Sequence, residues 1–266
     1  MNTSAATELG VEVEMTYSVP APAEMLLQIE AAEGGAQRTD IREFEIAGAK
    51  DFVLDAGHAE FGARSRFLVE DQITCRYRAK IIVERPEIEW ASLDHTPLTR
   101  LPEDTLRFLM PSRYCQPELF EPDLEERFGS LKGGAFISAC NILISRYIRY
   151  TPGASGSETT AWDTFHQREG ICRDYAHVLI SMARARGIPA RFVSCFAPEV
   201  APQDFHAVAE VWLGGDWHLI DPTGMAGASD TVRIASGLDA ADVAFLTIFG
   251  RAEMVDQRVH TRRLDA

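Results

Sequence analysis

Cysteine is scarce in this sequence, and its few cysteines do not form a paired motif. There are five in 266 residues, an odd number, and no two of them are separated by only two residues. This pattern argues against a disulfide framework and against the paired cysteines of a structural zinc site. It is typical of free thiols in a reducing compartment. We therefore expect a cytoplasmic protein.

The sequence also lacks a long apolar run and an excess of positive charge. No run approaches the roughly 18 residues of a membrane span, and MNTSAATELGVEVEM at the start lacks the basic and apolar regions of a signal peptide. Lys and Arg number 26 against 40 Asp and Glu, a net charge of −14. An acidic surface repels phosphate backbones and anionic lipids, so we expect neither nucleic acid nor a membrane as partner.

Short alternating runs fill the first part of the chain. Because they are separated by turn residues, they predict an N-terminal β-sandwich over residues 1–95. A proline-rich stretch follows and predicts a connecting segment over residues 96–125. The runs are VEVEMTYSV, MLLQIEA, RTDIREFEI, ARSRFLVE and ITCRYRAKIIVE.

Residues 126–266 change to a helical period and then back to strands. Helices are predicted in GGAFISACNILISRYIRYTPG, in TAWDTFHQ behind a Thr160 cap, and from Cys172 to the stop at Gly187-Ile188-Pro189. The strands ARFVSCFA, HAVAEVWL and WHLIDPT come next, whereas LDAADVAFLTIFG remains open. The whole chain is thus predicted as α+β, with helices packed on an antiparallel sheet in this second domain.

Cys172 stands at the start of the third predicted helix, where a merely packed thiol gains nothing special. The helix N-terminus favours a thiolate, and its free backbone N–H groups can hold an oxyanion. A nucleophilic thiol also needs a base and a group that orients the base. His206 opens a later strand and Asp221 ends the strand after it, so these two are the candidate partners.

Strand parity tests this choice. If Gly214 and Gly215 form a two-residue turn, Leu213 pairs with Asp216, and His206 and Asp221 share one face of the sheet. A three-residue loop would place them on opposite faces. His177 points to another side of the helix than Cys172, and His218 has the wrong parity relative to Asp221.

Two blocks, GICRDYAHVLISMARARGIPARFVSCF and DFHAVAEVWLGGDWHLIDPTG, carry a family resemblance. They resemble the bacterial transglutaminase-like family, relatives of papain-type thiol enzymes, over about Thr159 to Thr223. Val208 departs from the pattern, since tryptophan is frequent there. The resemblance implies a papain/transglutaminase-like domain in residues 126–266, with Cys172, His206 and Asp221 as the catalytic triad.

The function implied is acyl transfer from an amide or ester carbonyl of a peptide or protein, by hydrolysis or by transfer to an amine. Water is the expected acceptor, and no cofactor is implied. Tyr150 and Gln116 are candidates for a second oxyanion donor on chemistry alone. A metal site at His166, Cys172, His177 and His206 fits no zinc spacing, so no metal is expected. The alternative is a non-catalytic binding or scaffold protein that retains the fold.

Overall fold

Long strands dominate the N-terminal part of the chain. The structure is a computed structural model that describes residues 6–56 and 61–264. The strands are β1 (Thr7–Ser18), β2 (Ala23–Leu27), β3 (Gln37–Asp55) and β4 (Arg64–Val83). Two of the predicted runs therefore form one strand of 20 residues, β4. The polar residues Glu70 and Asp71 interrupt its apolar alternation at the point where its neighbour changes from β2 to β1.

The expected connection over residues 96–125 is more ordered than predicted. It contains short 3-10 turns, and helix α1 (Pro117–Phe128) begins inside it. The sequence analysis did not predict this helix because it contains Pro122, and proline disfavours a helix interior. Phe120 and Leu124, four residues apart, nevertheless bury one face of α1. The 3-10 turns within it cover Leu98–Arg100 and Glu103–Leu109, and a further one precedes it at Trp90–Ser92.

The three predicted helices are confirmed. They are α2 (Gly133–Tyr147), α3 (Ala161–Gln167) and α4 (Cys172–Ala185). Thr160 caps α3 in a reciprocal capping box with Asp163, and α4 ends just before Gly187, whose φ is 68°. Between these helices, two residues of β5 (Arg149–Tyr150) pair in parallel with β6 (Glu169–Gly170). This short ladder leads the chain directly into the start of α4.

A four-stranded antiparallel sheet lies against α4. Its strands are β7 (Ala190–Phe196), β8 (His206–Leu213), β9 (Asp216–Ile220) and β10 (Val232–Gly237), in the order β10-β7-β8-β9. Helix α4 is buried along most of its length and packs on β7 and β8, with α1, α2 and α3 against its other sides. The predicted arrangement of helices on an antiparallel sheet is therefore found in a mixed α/β fold.

The N-terminal strands form one six-stranded sheet, which also takes strands from the end of the described chain. Strands β11 (Leu246–Phe249) and β12 (Glu253–Arg263) give the order β11-β2-β4-β1-β12, with β3 on β4. The predicted β-sandwich over residues 1–95 is thus not confirmed. The apolar face of this sheet shares a continuous core with the helices, so the rest of the chain supplies the second layer.

Membrane-spanning helices were also sought in the described residues. No single helix there is long and apolar enough to cross a membrane, and α1 with α2 meets the length and composition requirements only as a pair bent by 100°.

Candidate active site

Helix α4 begins at Cys172, as predicted. Its first turn is fixed by Asp174, whose Oδ2 accepts hydrogen bonds from the Ile171 N–H at 2.8 Å and from the Ser155 hydroxyl at 2.5 Å. The Asp174 side chain thereby ties the helix start to the loop that precedes α3. The Cys172 side chain is half-buried at this end of α4.

His206 and Asp221 are brought together by the hairpin of β8 and β9. Gly214 and Gly215 form its tip with φ angles of 60° and 95°, which suits a two-residue turn. Leu213 lies opposite Asp216, the predicted register, and His206 Nε2 is 2.9 Å from Asp221 Oδ2. The two side chains are almost completely buried.

The Asp221 carboxylate is held by a dense set of donors. Its Oδ1 accepts from the Thr223 N–H at 2.8 Å and from the Thr223 hydroxyl at 2.7 Å. Its Oδ2 accepts from the N–H groups of Met225 at 3.0 Å and Ala226 at 2.8 Å, as well as from His206. Burial alone would raise the pKa of Asp221, but His206 and Thr223 lower it below its ordinary value. The group is therefore a carboxylate at neutral pH.

The other ring nitrogen of His206 is left for Cys172. Nδ1 is buried and makes no hydrogen bond of normal geometry with the residues that the structure describes. Burial lowers the pKa of His206, but the hydrogen bond to Asp221 and the proximity of Cys172 outweigh it and raise the pKa to about 9. The imidazole is thus favoured in its charged form between a carboxylate and a thiol.

Of the two candidate oxyanion donors, only Tyr150 lies beside Cys172. Burial raises the pKa of the Tyr150 hydroxyl to about 12, and the neighbouring Cys172 contributes to this rise through its side chain. The Cys172 backbone N–H also faces that hydroxyl and partly opposes the rise. Gln116 instead donates to the Arg113 carbonyl at the start of α1. The β5–β6 ladder, which the sequence did not predict, positions Tyr150.

Cys172 differs from the other cysteines in exposure. Cys75, Cys115, Cys140 and Cys195 are all buried, as their apolar surroundings in the sequence suggested for all but Cys115. Burial raises the pKa of each of these four thiols, that of Cys115 to about 11. These four are therefore poor nucleophiles at neutral pH.

The metal site considered from the sequence also included His166 and His177, and these two histidines lie in separate environments. His166 bonds the Trp162 carbonyl through Nδ1 at 2.9 Å, and His177 Nε2 accepts from the Ala240 N–H at 3.2 Å. Within residues 6–56 and 61–264, no group of three His, Cys, Asp or Glu side chains is placed to hold a metal ion.

A cleft with a volume of about 280 Å³ opens beside Cys172. One wall is the segment after β10, whose Phe245 ring stacks on Phe205 with centroids 4.3 Å apart and planes at 4°. Gln257 on β12 reaches the rim and donates to Asp204 Oδ1 at 3.0 Å. The six-stranded sheet therefore contributes to the cleft, and no local pattern in the sequence predicts this contribution. The lining also includes Ile171, Arg173, Phe192, Ser194, Ala240 and Val243.

The part of the chain that contains this site is similar in sequence to a known protein family. Residues 130–222, which contain Cys172, His206 and Asp221, match the family model described as the transglutaminase-like superfamily. The transglutaminase-like resemblance is confirmed.

Two solved structures and one curated protein are among those similar to this chain. A crystal structure from Cytophaga hutchinsonii, described as a candidate cysteine protease, superposes with a TM-score of 0.90 at 29% identity, covering 99% of this chain and 92% of that one. The periplasmic domain of TgpA from Pseudomonas aeruginosa has a TM-score of 0.44 at 22% identity, with 80% and 76% covered. The uncharacterized protein ML0607 of Mycobacterium leprae (strain TN) is 32% identical over 104 residues, which is 36% of this chain and 37% of that relative.

Proposed function

We propose that this protein is a thiol-dependent acyl-transfer enzyme that acts on an amide or ester carbonyl of a peptide or protein. Cys172 is the nucleophile, His206 the general base and then acid, and Asp221 the group that orients the imidazole. The observation that carries the proposal is the 2.9 Å bond from His206 Nε2 to Asp221, which leaves Nδ1 free beside the half-buried thiol. The dense hydrogen bonding of Asp221 holds this geometry before any substrate binds.

The reaction begins when His206 takes the proton of the Cys172 thiol, which gives a thiolate–imidazolium pair. The Cys172 sulfur attacks the carbonyl carbon, and the proton held by His206 goes to the leaving amine or alcohol. The resulting acyl-enzyme is a thioester. His206 then takes a proton from the incoming acceptor, and the thiolate leaves as the new acyl bond forms. The Asp221 charge stabilises the imidazolium at each stage.

The oxyanion is assigned to two donors beside Cys172. One is the Cys172 backbone N–H, which lies in the first turn of α4 and has no intrahelical partner there. The other is the Tyr150 hydroxyl, which keeps its proton because its pKa is raised to about 12. Donors placed in advance where negative charge develops are among the strongest contributions to such catalysis.

Water is the acceptor we propose first, and a primary amine the second. An amine must be bound selectively to compete with water, and the same triad serves both reactions. We also retain the proposals that the protein is cytoplasmic and needs no cofactor. A non-catalytic scaffold remains the rival function, and it requires that Cys172 form no acyl-enzyme.

Intact-mass analysis with N-acetyl amino-acid 4-nitrophenyl esters tests the proposal. We expect an acyl adduct on the Cys172 peptide that decays to the free acid, and to the methylamide when methylamine is added. Cys172→Ala should form no adduct, while Ser145→Ala on the exposed face of α2 should behave like the unmodified protein. If no ester acylates Cys172 although the protein is folded, the scaffold function replaces this one.

A further inference from the structure

The cleft beside Cys172 is apolar over much of its lining. Phe192 and Val243 line it as buried side chains, and the stacked rings of Phe205 and Phe245 form part of its walls. Surfaces of this kind stabilise hydrocarbon groups that leave water. A ligand group that enters the cleft is therefore expected to place a hydrocarbon part against these walls.

Two side chains of opposite charge, Arg173 and Asp204, also line the cleft. The Arg173 guanidinium is already engaged, because it donates to the Gly156 carbonyl at 2.8 Å and to the Ser155 hydroxyl at 3.3 Å. Its Nε also lies 3.5 Å from Asp174 Oδ1, a carboxylate oxygen that compensates its charge. The positive charge in the lining is thus balanced within the protein.

The Asp204 carboxylate is not balanced in this way. Asp204 is exposed, and its Oδ1 accepts from the Phe205 N–H at 2.8 Å and from the Gln257 side-chain amide at 3.0 Å. Both donors are neutral. Among residues 6–56 and 61–264, no basic side chain forms an ion pair with Asp204, and no group donates to its Oδ2. The lining of the cleft therefore carries one uncompensated negative charge.

The charge of Asp204 acts close to the reacting groups. Burial is the main cause of the rise in the pKa of Tyr150 to about 12, and the negative charge of Asp204 adds to this rise. Tyr150 is the hydroxyl assigned above to the carbonyl oxygen of the substrate, so Asp204 lies near the position of the acyl group. The net charge of −14 acts in the same direction over longer distances, since it attracts cations and repels anions.

These features select among the side chains that a substrate could bring to the cleft. A carboxylate would face the like charge of Asp204, and a neutral amide would form hydrogen bonds about half as strong as those of a cation. Lysine and arginine combine a hydrocarbon stem, which packs on apolar surface, with a charged end that stays in contact with water. A basic side chain therefore matches both the walls and the rim.

We propose that the cleft is a subsite for a basic side chain, lysine or arginine, on the acyl-donating part of the substrate. The methylene stem packs against the apolar walls, and the charged end pairs with Asp204 at the rim. This inference rests on the proposed function, because it assigns the specificity of the site at which Cys172 is acylated.

Chloromethyl ketones test the subsite without requiring turnover. The Cys172 thiolate attacks the chloromethyl carbon, a C–S bond forms, and chloride leaves with the electrons of the C–Cl bond. The probes are N-acetyl-lysyl, N-acetyl-norleucyl and N-acetyl-alanyl chloromethyl ketone, of which the norleucyl probe has the stem of lysine without its ammonium group. We expect the lysyl probe to label Cys172 about two to five times faster than the norleucyl probe at low salt, the factor that an exposed ion pair supplies. The norleucyl probe should exceed the alanyl probe, because its longer stem reaches the apolar walls.

The decisive variant is Asp204→Asn. Its amide oxygen can still accept from Phe205 and Gln257, so the rim should keep its shape while the charge is lost. We expect the ratio of lysyl to norleucyl labelling to fall to about one, with the norleucyl rate still above the alanyl rate. Asp216→Asn is the matched control and should keep the original ratio. Asp216 is also exposed and also accepts from the next N–H of the chain, that of Trp217, but it does not line the cleft.

The ratio of two probes is the quantity to compare, because loss of a nearby negative charge also alters the reactivity of the thiol towards every probe. Salt gives a second test that needs no variant, since the Debye length falls from about 30 Å at 0.01 M to about 3 Å at 1 M. The ratio in the unmodified protein should fall over this range. A ratio of about one at low salt, or equal ratios in Asp204→Asn and Asp216→Asn, rejects the subsite. A norleucyl probe no faster than the alanyl probe rejects the packing of the stem against the walls.

A site for the acyl acceptor is the rival assignment of the same charge. Cadaverine and pentylamine, which differ by one ammonium group, are compared as acceptors of the acyl-enzyme formed from an N-acetyl-alanyl ester. Suppose that Asp204→Asn abolishes a preference for cadaverine beyond the statistical advantage of its second amine, while the lysyl and norleucyl probes label the unmodified protein equally. Asp204 then belongs to the acceptor side, and the proposal is rejected.

Matched lysyl and norleucyl 4-nitrophenyl esters separate the subsite from the proposed function. A lysine preference in labelling without ester turnover supports the subsite as a binding site and rejects acyl transfer. Ester turnover at Cys172 without a lysine preference supports acyl transfer and rejects the subsite. If neither probes nor esters react at Cys172, both are rejected.

Discussion

At the scale of single residues, Asp221 is held more tightly than a group that only orients a histidine would need. Five hydrogen bonds end on its two oxygens, from His206, Thr223, Met225 and Ala226. All five groups, two of them on Thr223, act as donors when Nε2 of His206 carries its proton. The carboxylate therefore both orients the imidazole and fixes the turn that follows β9.

The first prediction concerns Asp221→Asn. Asparagine is nearly isosteric with aspartate, but each oxygen of Asp221 faces donors, so an NH₂ group must oppose at least one of them. We expect a loss of about 1–3 kcal/mol in the free energy of unfolding. The charge that stabilises the imidazolium is lost as well, which should slow acyl transfer by about 10²–10⁴-fold.

Urea unfolding and ester turnover measure these two effects. Asp216→Asn at the exposed tip of the same hairpin is the matched control and should change neither strongly, since it accepts only from the Trp217 N–H among the described residues. Turnover close to that of the unmodified protein in Asp221→Asn would show that the charge is dispensable.

The second prediction concerns Tyr150→Phe. Removal of the hydroxyl leaves the ring in place and takes away one of the two assigned oxyanion donors. Because this donor acts where charge develops, kcat for ester hydrolysis should fall by about 10²–10³-fold with little change in KM. Tyr147→Phe, on α2, is the control and should retain kcat. A rise in KM alone would assign Tyr150 to substrate binding instead.

The third prediction concerns the selectivity of thiol labelling. Iodoacetamide should modify Cys172 in the folded protein, while the four buried thiols react only after unfolding. Cys172→Ala should abolish labelling and shift the thermal midpoint by less than about 3 °C, because a half-buried thiol at a helix start makes few packing contacts. Rapid modification of a second cysteine in the folded state would contradict this assignment.

The sequence could predict where Cys172, His206 and Asp221 lie because local patterns specify their positions. Cys172 starts a helix, and the register of one hairpin, set by its two-glycine turn, brings His206 to Asp221. Their assignment as a catalytic triad stays a prediction. Tyr150 could not be assigned in that way. Its position depends on the pairing of β5 with β6, two strands that helix α3 separates in the chain.

At the scale of elements, the segment between β10 and β11 forms one wall of the cleft and is hydrogen-bonded to other elements on two sides. Asp239 Oδ2 accepts from the Tyr114 N–H at 3.0 Å, and Arg184 from α4 donates to the Leu238 carbonyl at 2.7 Å. On the other side, the Phe245 carbonyl accepts from the Gln28 N–H at 2.8 Å. Both the helix and the six-stranded sheet therefore hold this wall.

His177 connects α4 to this wall. Its ring stacks on Tyr114 with centroids 5.0 Å apart, and its Nε2 accepts from the Ala240 N–H. Burial lowers the pKa of His177 to about 3, with Arg173 and Arg184 acting in the same direction and Asp239 opposing them. The contact between α4 and the wall therefore depends on a neutral imidazole.

The fourth prediction follows from that pKa. An unfolded histidine titrates near pH 6.5, so the neutral ring contributes stability above that pH, and this contribution is lost as the pH falls from about 6.5 towards 3. His177→Phe keeps a ring but cannot be protonated. We expect it to be less stable at pH 7, by about 1 kcal/mol for the lost acceptor, and to become the more stable of the two proteins by pH 4, because a neutral folded histidine costs about 1.4 kcal/mol for each pH unit below 6.5.

Urea unfolding of the unmodified protein and of His177→Phe at pH 7, 5.5 and 4 measures the difference in their free energies of unfolding. The titration of the carboxylates affects both proteins equally and therefore cancels in this difference. His166→Phe on α3, with an exposed imidazole, is the control and should show no comparable trend. A difference that stays constant between pH 7 and pH 4 would mean that the neutral state of His177 does not matter.

At the scale of elements the sequence was more successful for helices than for sheets. The capping box of α3 and the glycine stop of α4 depend on residues next to one another, and both were found. The pairing of β12 with β1 joins Arg263 to Leu9, across almost the whole chain, and no local pattern encodes it. The single sheet was read as a sandwich because its second layer comes from distant elements.

At the scale of the whole molecule, strands from the two ends of the described chain pair in one sheet. Strands β11 and β12 follow the four-stranded sheet in the chain and complete the sheet begun by β1 and β2. One continuous core joins that sheet to the helices. Elements joined by a shared core and a shared sheet are expected to unfold together rather than as separate units.

The fifth prediction tests this pairing with a fragment. Residues 96–266 contain the whole proposed triad, but without the first 95 residues β11 and β12 lose their partners β2 and β1. Gln257 at the rim of the cleft also loses Tyr17, whose hydroxyl donates to it. We expect the full chain to unfold in a single transition, and the fragment to expose apolar strand surface, aggregate and show no labelling selective for Cys172.

Differential scanning calorimetry of the full chain and iodoacetamide labelling of the fragment provide the readout. Because β12 ends one edge of the sheet, deletion of residues 251–266 alone should also lower the thermal midpoint, by exposing the edge of β1 and the apolar side chains paired along it. Removal of only the final residues 265–266 is the control, since it spares every residue of β12. Two separate calorimetric transitions, or a soluble 96–266 fragment whose Cys172 is labelled as selectively as in the full chain, would show that the six-stranded sheet is an independent domain. The cleft would then not depend on it, and the contact of Gln257 with Asp204 would be incidental to the site.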